Sequence, residues 1–111
     1  MADSERGTLE VRSRAVGRMA EIAASSVTGV ERVRGGVTAR SLPHVDATVQ
    51  SGKIRATVEA ATRWPTPIAD VAIRVRAAVE QDLASNSGLE VHSVDVRMHY
   101  SNTSVRSRRV E

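Results

Sequence analysis

The sequence predicts an α+β fold of two layers, one mixed sheet with two helices packed on one face, and three observations predict it. Apolar residues recur at three- and four-residue spacing in two segments, Val16 to Val27 and Ile68 to Leu83. They alternate with period two in Val45–Val49, Ile54–Ala60 and Leu89–Tyr100. Gly, Pro and Ser sit where one period gives way to the other, which separates the segments into elements in the order β-α-β-β-β-α-β. With 111 residues and no repeat, the chain reads as residues 1–6, a flexible N-terminus; 7–100, one folded body; and 101–111, a basic flexible tail.

Gly7 to Arg12 reads as a short strand, with Leu9 and Val11 alternating against Thr8 and Glu10. Ser13 then stands as an N-cap. Val16, Met19, Ala20, Ala23 and Val27 form one apolar helix face, closed by Gly29 at the left-handed C′ position. Val33 to Leu42 is a weak strand interrupted by Gly35-Gly36. Val45–Val49 and Ile54–Ala60 flank Ser51-Gly52, a two-residue hairpin turn. In the second of these strands Ile54, Ala56, Val58 and Ala60 face one way and Arg55, Thr57 and Glu59 the other, the pattern of a sheet covered on one side.

Trp64-Pro65-Thr66-Pro67 stops that strand, with Thr66 as the expected N-cap and Pro67 at the first helical position. The second helix carries the stripe Ile68, Val71, Ala72, Val75, Val79 and Leu83. Its opposite face offers Asp70–Arg74 and Arg76–Glu80 as i,i+4 pairs, worth a few tenths of a kcal/mol each. Burying each large apolar residue is worth ~1.5–3 kcal/mol, so the stripe decides that the helix forms. In the last strand Val94, Val96, Met98 and Tyr100 share one face and Asp95, Arg97 and His99 the other.

Composition excludes several chemistries. With no cysteine there are no disulfides, thiolate metal sites or thiol nucleophiles. The start has no basic-then-apolar pattern of a secretory signal, and no apolar run approaches the ~20 residues of a membrane-spanning helix, so neither a secreted nor a membrane-spanning chain is expected. The sequon Asn102-Thr103-Ser104 is then idle. The pI near 10.5 has a local source: up to Ser104 the chain carries 13 basic and 12 acidic residues, and Arg106, Arg108 and Arg109 supply the excess. Trp64 and Tyr100 are the only aromatics, too few for a base-stacking platform, so nucleic acid is a disfavoured partner.

Catalytic and cofactor sites find little support. His92 and His99 lie at opposite parity on one strand and are expected on opposite faces, with His44 far off in sequence, so no metal or general-base cluster is expected. Gly35-Gly36 lacks the further glycines, the lysine and the helix of a phosphate loop. The serines lack a nucleophile elbow. Arg12, Arg14 and Arg18 read as a solvated basic edge, with docking to an acidic partner or anionic surface as the sharper alternative.

Taken together, several segments resemble the bacterial alkaline-shock proteins, also called envelope stress response proteins of the Asp/Gls type. The residues that carry this are Gly7-Thr8-Leu9-Glu10-Val11, Ala20-Glu21-Ile22-Ala23-Ala24 followed by Val27-Thr28-Gly29-Val30, and Ile68-Ala69-Asp70-Val71. The closing run Ser87-Gly88-Leu89-Glu90-Val91-His92-Ser93-Val94-Asp95-Val96 matches most closely. The chain departs from the family pattern at Arg63-Trp64-Pro65, where a Tyr-Gly pair is usual, and at Met98-His99-Tyr100. The resemblance implies a cytoplasmic, self-associating protein of cell-envelope homeostasis, not an enzyme and with no cofactor, held at the membrane by a separate membrane-embedded partner.

The leading expectation is therefore a self-associating or partner-docking scaffold at the cytoplasmic side of the membrane. Its candidate contacts are Arg55, Thr57, Glu59, Arg97 and His99 on the open sheet face, with Arg106, Arg108 and Arg109 in the tail; unpaired edge strands offer a second route to assembly. The alternative is a small basic nucleic-acid-binding module using the Arg-rich tail. A small-molecule enzyme is the third reading, and it requires an apolar pocket lined by His92 or Tyr100.

Overall fold

The computed structural model describes residues 2–37 and 40–101. Its elements are α1 (Ala2–Ser25), β1 (His44–Gln50), β2 (Lys53–Thr62), α2 (Ile68–Asn86) and β3 (Glu90–Tyr100). The strands form one mixed sheet in the order β1-β2-β3, with β1 antiparallel and β3 parallel to β2. Helix α1 packs against β1, α2 against β3, and the helices touch each other, so both cover the same face. The expected two-layer α+β architecture is present, with the element order α-β-β-α-β.

The two missing strands have separate causes. Gly7–Arg12 is helical, part of α1, which begins at Ala2 rather than after Ser13. Two alternating apolar residues are a weak strand signal, and Leu9 also lies seven residues before Val16, on the helical stripe that continues through Ala20 and Ala24. A helix of 24 residues is about 36 Å long, whereas the seven residues of β1 span about 23 Å. Residues 7–12 are accordingly all exposed, and burial in α1 starts near Val16. Ser13, expected as an N-cap, instead uses its Oγ to accept the Val49 amide at 3.1 Å.

The described residues of the Val33–Leu42 segment form no strand: Val33 and Leu42 make an isolated antiparallel bridge, their amides and carbonyls exchanged at 3.0 and 2.7 Å. Gly35-Gly36 between them holds too little side chain to pack a strand, and the Gly35 amide is taken by Ser41 Oγ at 2.9 Å. The expected hairpin turn is present, with Gln50 paired to Lys53 and both Ser51 and Gly52 at positive φ. Helix α2 starts at Ile68 with Pro67, not Thr66, as its cap residue and no side-chain cap bond. Arg76 and Glu80 approach to 3.5 Å as expected. Arg74 turns away from Asp70 and donates to the Thr28 carbonyl at 3.2 Å.

The core is built from small and β-branched side chains: Val71, Val75, Val79 and Leu83 of α2 and Val16, Ala20 and Ala24 of α1 meet Ile54, Ala56, Val58 and Val94 of the sheet. No residue of this core is aromatic, so filling it depends on close approach of backbones. The clearest case is the link after α1. Gly29 has φ +102°, and a Cβ there would stand 3.1 Å from Val71 Cγ2. Its carbonyl accepts a 2.6 Å hydrogen bond from the hydroxyl of Thr62, which is fully buried.

Two outcomes follow for stability in urea. Leu83→Ala is expected to cost about 2–5 kcal/mol, since the side chain is wholly enclosed. Gly29→Ala is expected to cost about 1–3 kcal/mol from backbone strain and contact with Val71. A change below 0.5 kcal/mol in either variant would contradict this account of the packing.

Candidate functional site

Both helices lie on one side of the sheet, and among the described residues nothing covers the other face. Strand register fixes what it displays. Level by level across β1, β2 and β3 the rows read Gln50–Lys53–Glu90, Thr48–Arg55–Ser93, Asp46–Thr57–Asp95 and His44–Glu59–Arg97, with His99 beside Ala61 beyond them. Arg55, Thr57, Glu59, Arg97 and His99 are thus brought together as the alternation predicted. Arg106, Arg108 and Arg109 lie outside the described residues.

The face is polar and wet. His99 Nε2 lies 2.8 Å from Glu59 Oε2, with side-chain exposures of 50% and 33%. His44 Nε2 lies 3.2 Å from Asp46 Oδ1, and Arg40 stands 3.7 Å from the other oxygen of the same carboxylate. Pairs this exposed contribute roughly 0–1 kcal/mol, so they orient side chains more than they hold the sheet together.

The histidine geometry differs from the parity argument. A bulge between Ile54 and Arg55 in the β2–β3 register pairs Val91 with Ile54 and Ser93 with Arg55, leaving His92 as the extra residue. His92 therefore joins Lys53 and Arg55 around a dent of about 180 Å³ also lined by Thr48, Gln50 and Ser51. His92 and His99 stand on the same side of the sheet, at opposite ends. The bulge shows in the sequence as a three-residue step, Val91 to Val94, in an otherwise two-residue apolar spacing, and counting parity straight through that step is what put His92 and His99 on opposite faces. Among the described residues no group of three His, Asp or Glu side chains converges as a metal site.

The sheet edges are less available than an unpaired edge strand suggests. Closure of the hairpin at Gln50 and Lys53 turns the amides of Val45, Ala47 and Val49 outward from β1. Ser13 of α1 already takes the Val49 amide, and α1 runs beside this edge. The groove between them has a volume near 750 Å³ and mixes Leu9, Gly17 and Val45 with Glu10, Arg14, Arg18 and Glu21. The pairing of Thr62 with Tyr100 and the hydrogen bond from the Tyr100 hydroxyl to the Thr66 carbonyl set Tyr100 beside the turn that carries Trp64, a neighbourhood that depends on strand register and not on the linear sequence.

A family model described as the alkaline shock protein 23 family, of cell envelope-related function, matches residues 1–100. No curated protein matches the chain. Among solved structures, a doubly substituted MamM CTD matches with TM-score 0.59 and 22% identity, covering 79% of this chain and 93% of that one. Another MamM CTD variant gives 0.60 and 20%, over 79% and 82% of the two chains. The copper form of the MamM CTD gives 0.59 and 18%, over 81% and 87%. At these identities the likeness shows the fold alone. Among the described residues no helix is long and apolar enough to cross a membrane.

Because the open-face side chains serve the fold little, Arg55→Ala, Arg97→Ala and His99→Ala should each leave unfolding free energy within about 0.5 kcal/mol of the parent. Chemical denaturation checks this; a loss above 1.5 kcal/mol would assign the residue to the fold instead.

Proposed function

Because this chain belongs to the alkaline shock protein 23 family, whose function is cell envelope-related, we propose that it is a non-enzymatic scaffold that self-associates through the open face of its sheet. The reading includes residence on the cytoplasmic side of the membrane, near a membrane-embedded anchoring protein. What supports it is the charge pattern of that face, which is complementary to itself.

Consider two sheets laid face to face about a two-fold axis that runs between them, perpendicular to the strands and level with the gap between Arg55 and Thr57. Stacked sheets sit ≈ 10 Å apart, within reach of long side chains from both. On β2, Lys53 then meets Glu59 of the second copy and Arg55 meets Thr57. On β3, Glu90 meets Arg97 and Ser93 meets Asp95. On β1, Gln50 meets His44 and Thr48 meets Asp46. Each contact occurs twice, as an isologous interface requires. No two like charges face each other in this register. A register one level away, centred on Thr57, would set Asp46 and Asp95 against their own copies, so the pattern selects one alignment.

The contacts are polar, which predicts weak, salt-sensitive association rather than a permanent dimer. The two strand edges are poorer candidates, since α1 and Ser13 occupy part of the β1 edge.

Charge reversal tests the pairing. Arg97→Glu alone and Glu90→Arg alone should each weaken self-association by about tenfold, and the two together should restore it to within about threefold. Light scattering across protein and salt concentration measures this. A parent chain that stays monomeric at millimolar concentration, or a double reversal no better than the singles, would overturn the proposed interface.

A further inference from the structure

Three basic side chains meet at the hairpin end of the open face, and they reach it by different routes. Lys53 follows the Ser51-Gly52 turn, and Arg55 is the next residue of β2 to share its face. His92 arrives through the bulge, as the extra residue of β3 between Val91, level with Ile54, and Ser93, level with Arg55. Bulges re-aim single side chains in this way and are frequent beside binding sites. The Glu90 amide donates to the Gly52 carbonyl at 3.0 Å, so the start of β3 is held against the turn. Thr48, Gln50 and Ser51 complete the wall of the dent, whose volume is about 180 Å³.

The charges around this dent are unbalanced. None of Lys53, Arg55 and His92 makes an ion pair among the described residues, whereas His44 and His99 each sit against a carboxylate, Asp46 and Glu59. Acids stand in the same or the adjoining row at Glu90, Asp46 and Asp95, but none of them lines the dent. Asp46 is already engaged by His44 and Arg40. An ammonium and a guanidinium gathered on one hollow repel each other, and an anion seated between them replaces that repulsion with attraction. The donors are also varied: a planar fork from Arg55, a point charge from Lys53, the imidazole of His92 and the hydroxyls of Thr48 and Ser51. A carboxylate offers such a set two oxygens and a single charge. A phosphate group spreads strong acceptor oxygens in several directions and carries a charge of about −2, which matches both the number and the spread of these donors.

We infer that this dent binds a phosphate group, free or carried as a phosphomonoester, with Lys53 and Arg55 neutralising it and His92 closing it in from β3. The inference goes beyond self-association, because a single copy supplies every contact. Lys53 and Arg55 also face the second copy in the proposed pair. Phosphate binding is therefore measured at low protein concentration, where a weak polar pair is dissociated.

The full chain would be titrated with inorganic phosphate, with phenyl phosphate, and with acetate at matched ionic strength. NMR follows the amides of Gly52, Lys53 and Arg55 and the ring of His92. Co-sedimentation with phosphatidic acid vesicles, set against phosphatidylcholine vesicles, distinguishes a lipid headgroup from a soluble ligand. The expected result is a saturable shift at these residues with phosphate and none of comparable size with acetate. Sedimentation with phosphatidic acid alone, lost in Arg55→Ala, would assign the phosphate to a lipid. Arg55→Ala should weaken binding about tenfold and His92→Ala about threefold. Arg76→Gln removes the same charge from α2 and should leave affinity within about twofold. Circular dichroism checks that each variant is folded. Three results would overturn the inference: neither a saturable shift with the phosphates nor sedimentation with phosphatidic acid, acetate as effective as phosphate, or a folded Arg55→Ala that binds as well as Arg76→Gln. Light scattering without phosphate, on the same samples, reports self-association separately, so either idea can fail alone.

Discussion

Parallel pairing of β2 with β3 requires the chain to travel back along the whole sheet between the two strands, and α2 is the element that makes this return. A return path of this kind must cross one face of the sheet. Once α2 lies there with Val71, Val75, Val79 and Leu83 against the strands, α1 completes the same layer beside it, and no described element is left to cover the second face. The same pairing makes β2 and β3 finish at one end, which is why Thr62 and Tyr100 are neighbours and the turn carrying Trp64 lies beside the chain's exit at Ser101. The open face and the meeting of these segments at one end are both consequences of that single topological choice.

The core that holds this arrangement is unusual in its materials rather than its layout. Without Phe, and with the only Trp outside, volume is filled by Val and Ala. Small side chains bring backbones close, and that closeness makes Gly29 and Thr62 matter more than their size suggests. Gly29 leaves room for Val71, while its carbonyl is satisfied by a hydroxyl that burial would otherwise leave costly. The exposed ion pairs do a different job. They fix the orientation of side chains on a wet surface and add little to the stability of the fold.

Much of this was legible in the sequence where a period was long and bounded. The α2 stripe, the Ser51-Gly52 hairpin and the one-sided alternation of Ile54–Ala60 each carried enough repeats to fix both the element and its exposed face. Arg55, Thr57, Glu59, Arg97 and His99 followed directly from that alternation. Illegible features were those decided by partners distant in sequence. Two apolar residues at Leu9 and Val11 fit a strand and a helix equally well, and the helix prevailed because no neighbouring strand takes the segment while its stripe continues into Val16. The bulge at His92 is marked only by the step from Val91 to Val94 in the apolar spacing, and nothing local marks Val33 and Leu42 as partners in a single bridge. The proximity of Trp64 to Tyr100 depends on a parallel register that only the folded sheet defines.

The open face also constrains how two copies can lie against each other. The axis that best matches charge across the open face reverses strand direction, so two copies paired in this way carry their Trp64 turns at opposite ends of the pair. That consequence depends on Glu90, Arg97, Lys53 and Glu59 being placed where the bulged register of β3 puts them, and a flat, unbulged strand would have sent Glu90 to the helix side and removed half of the pattern.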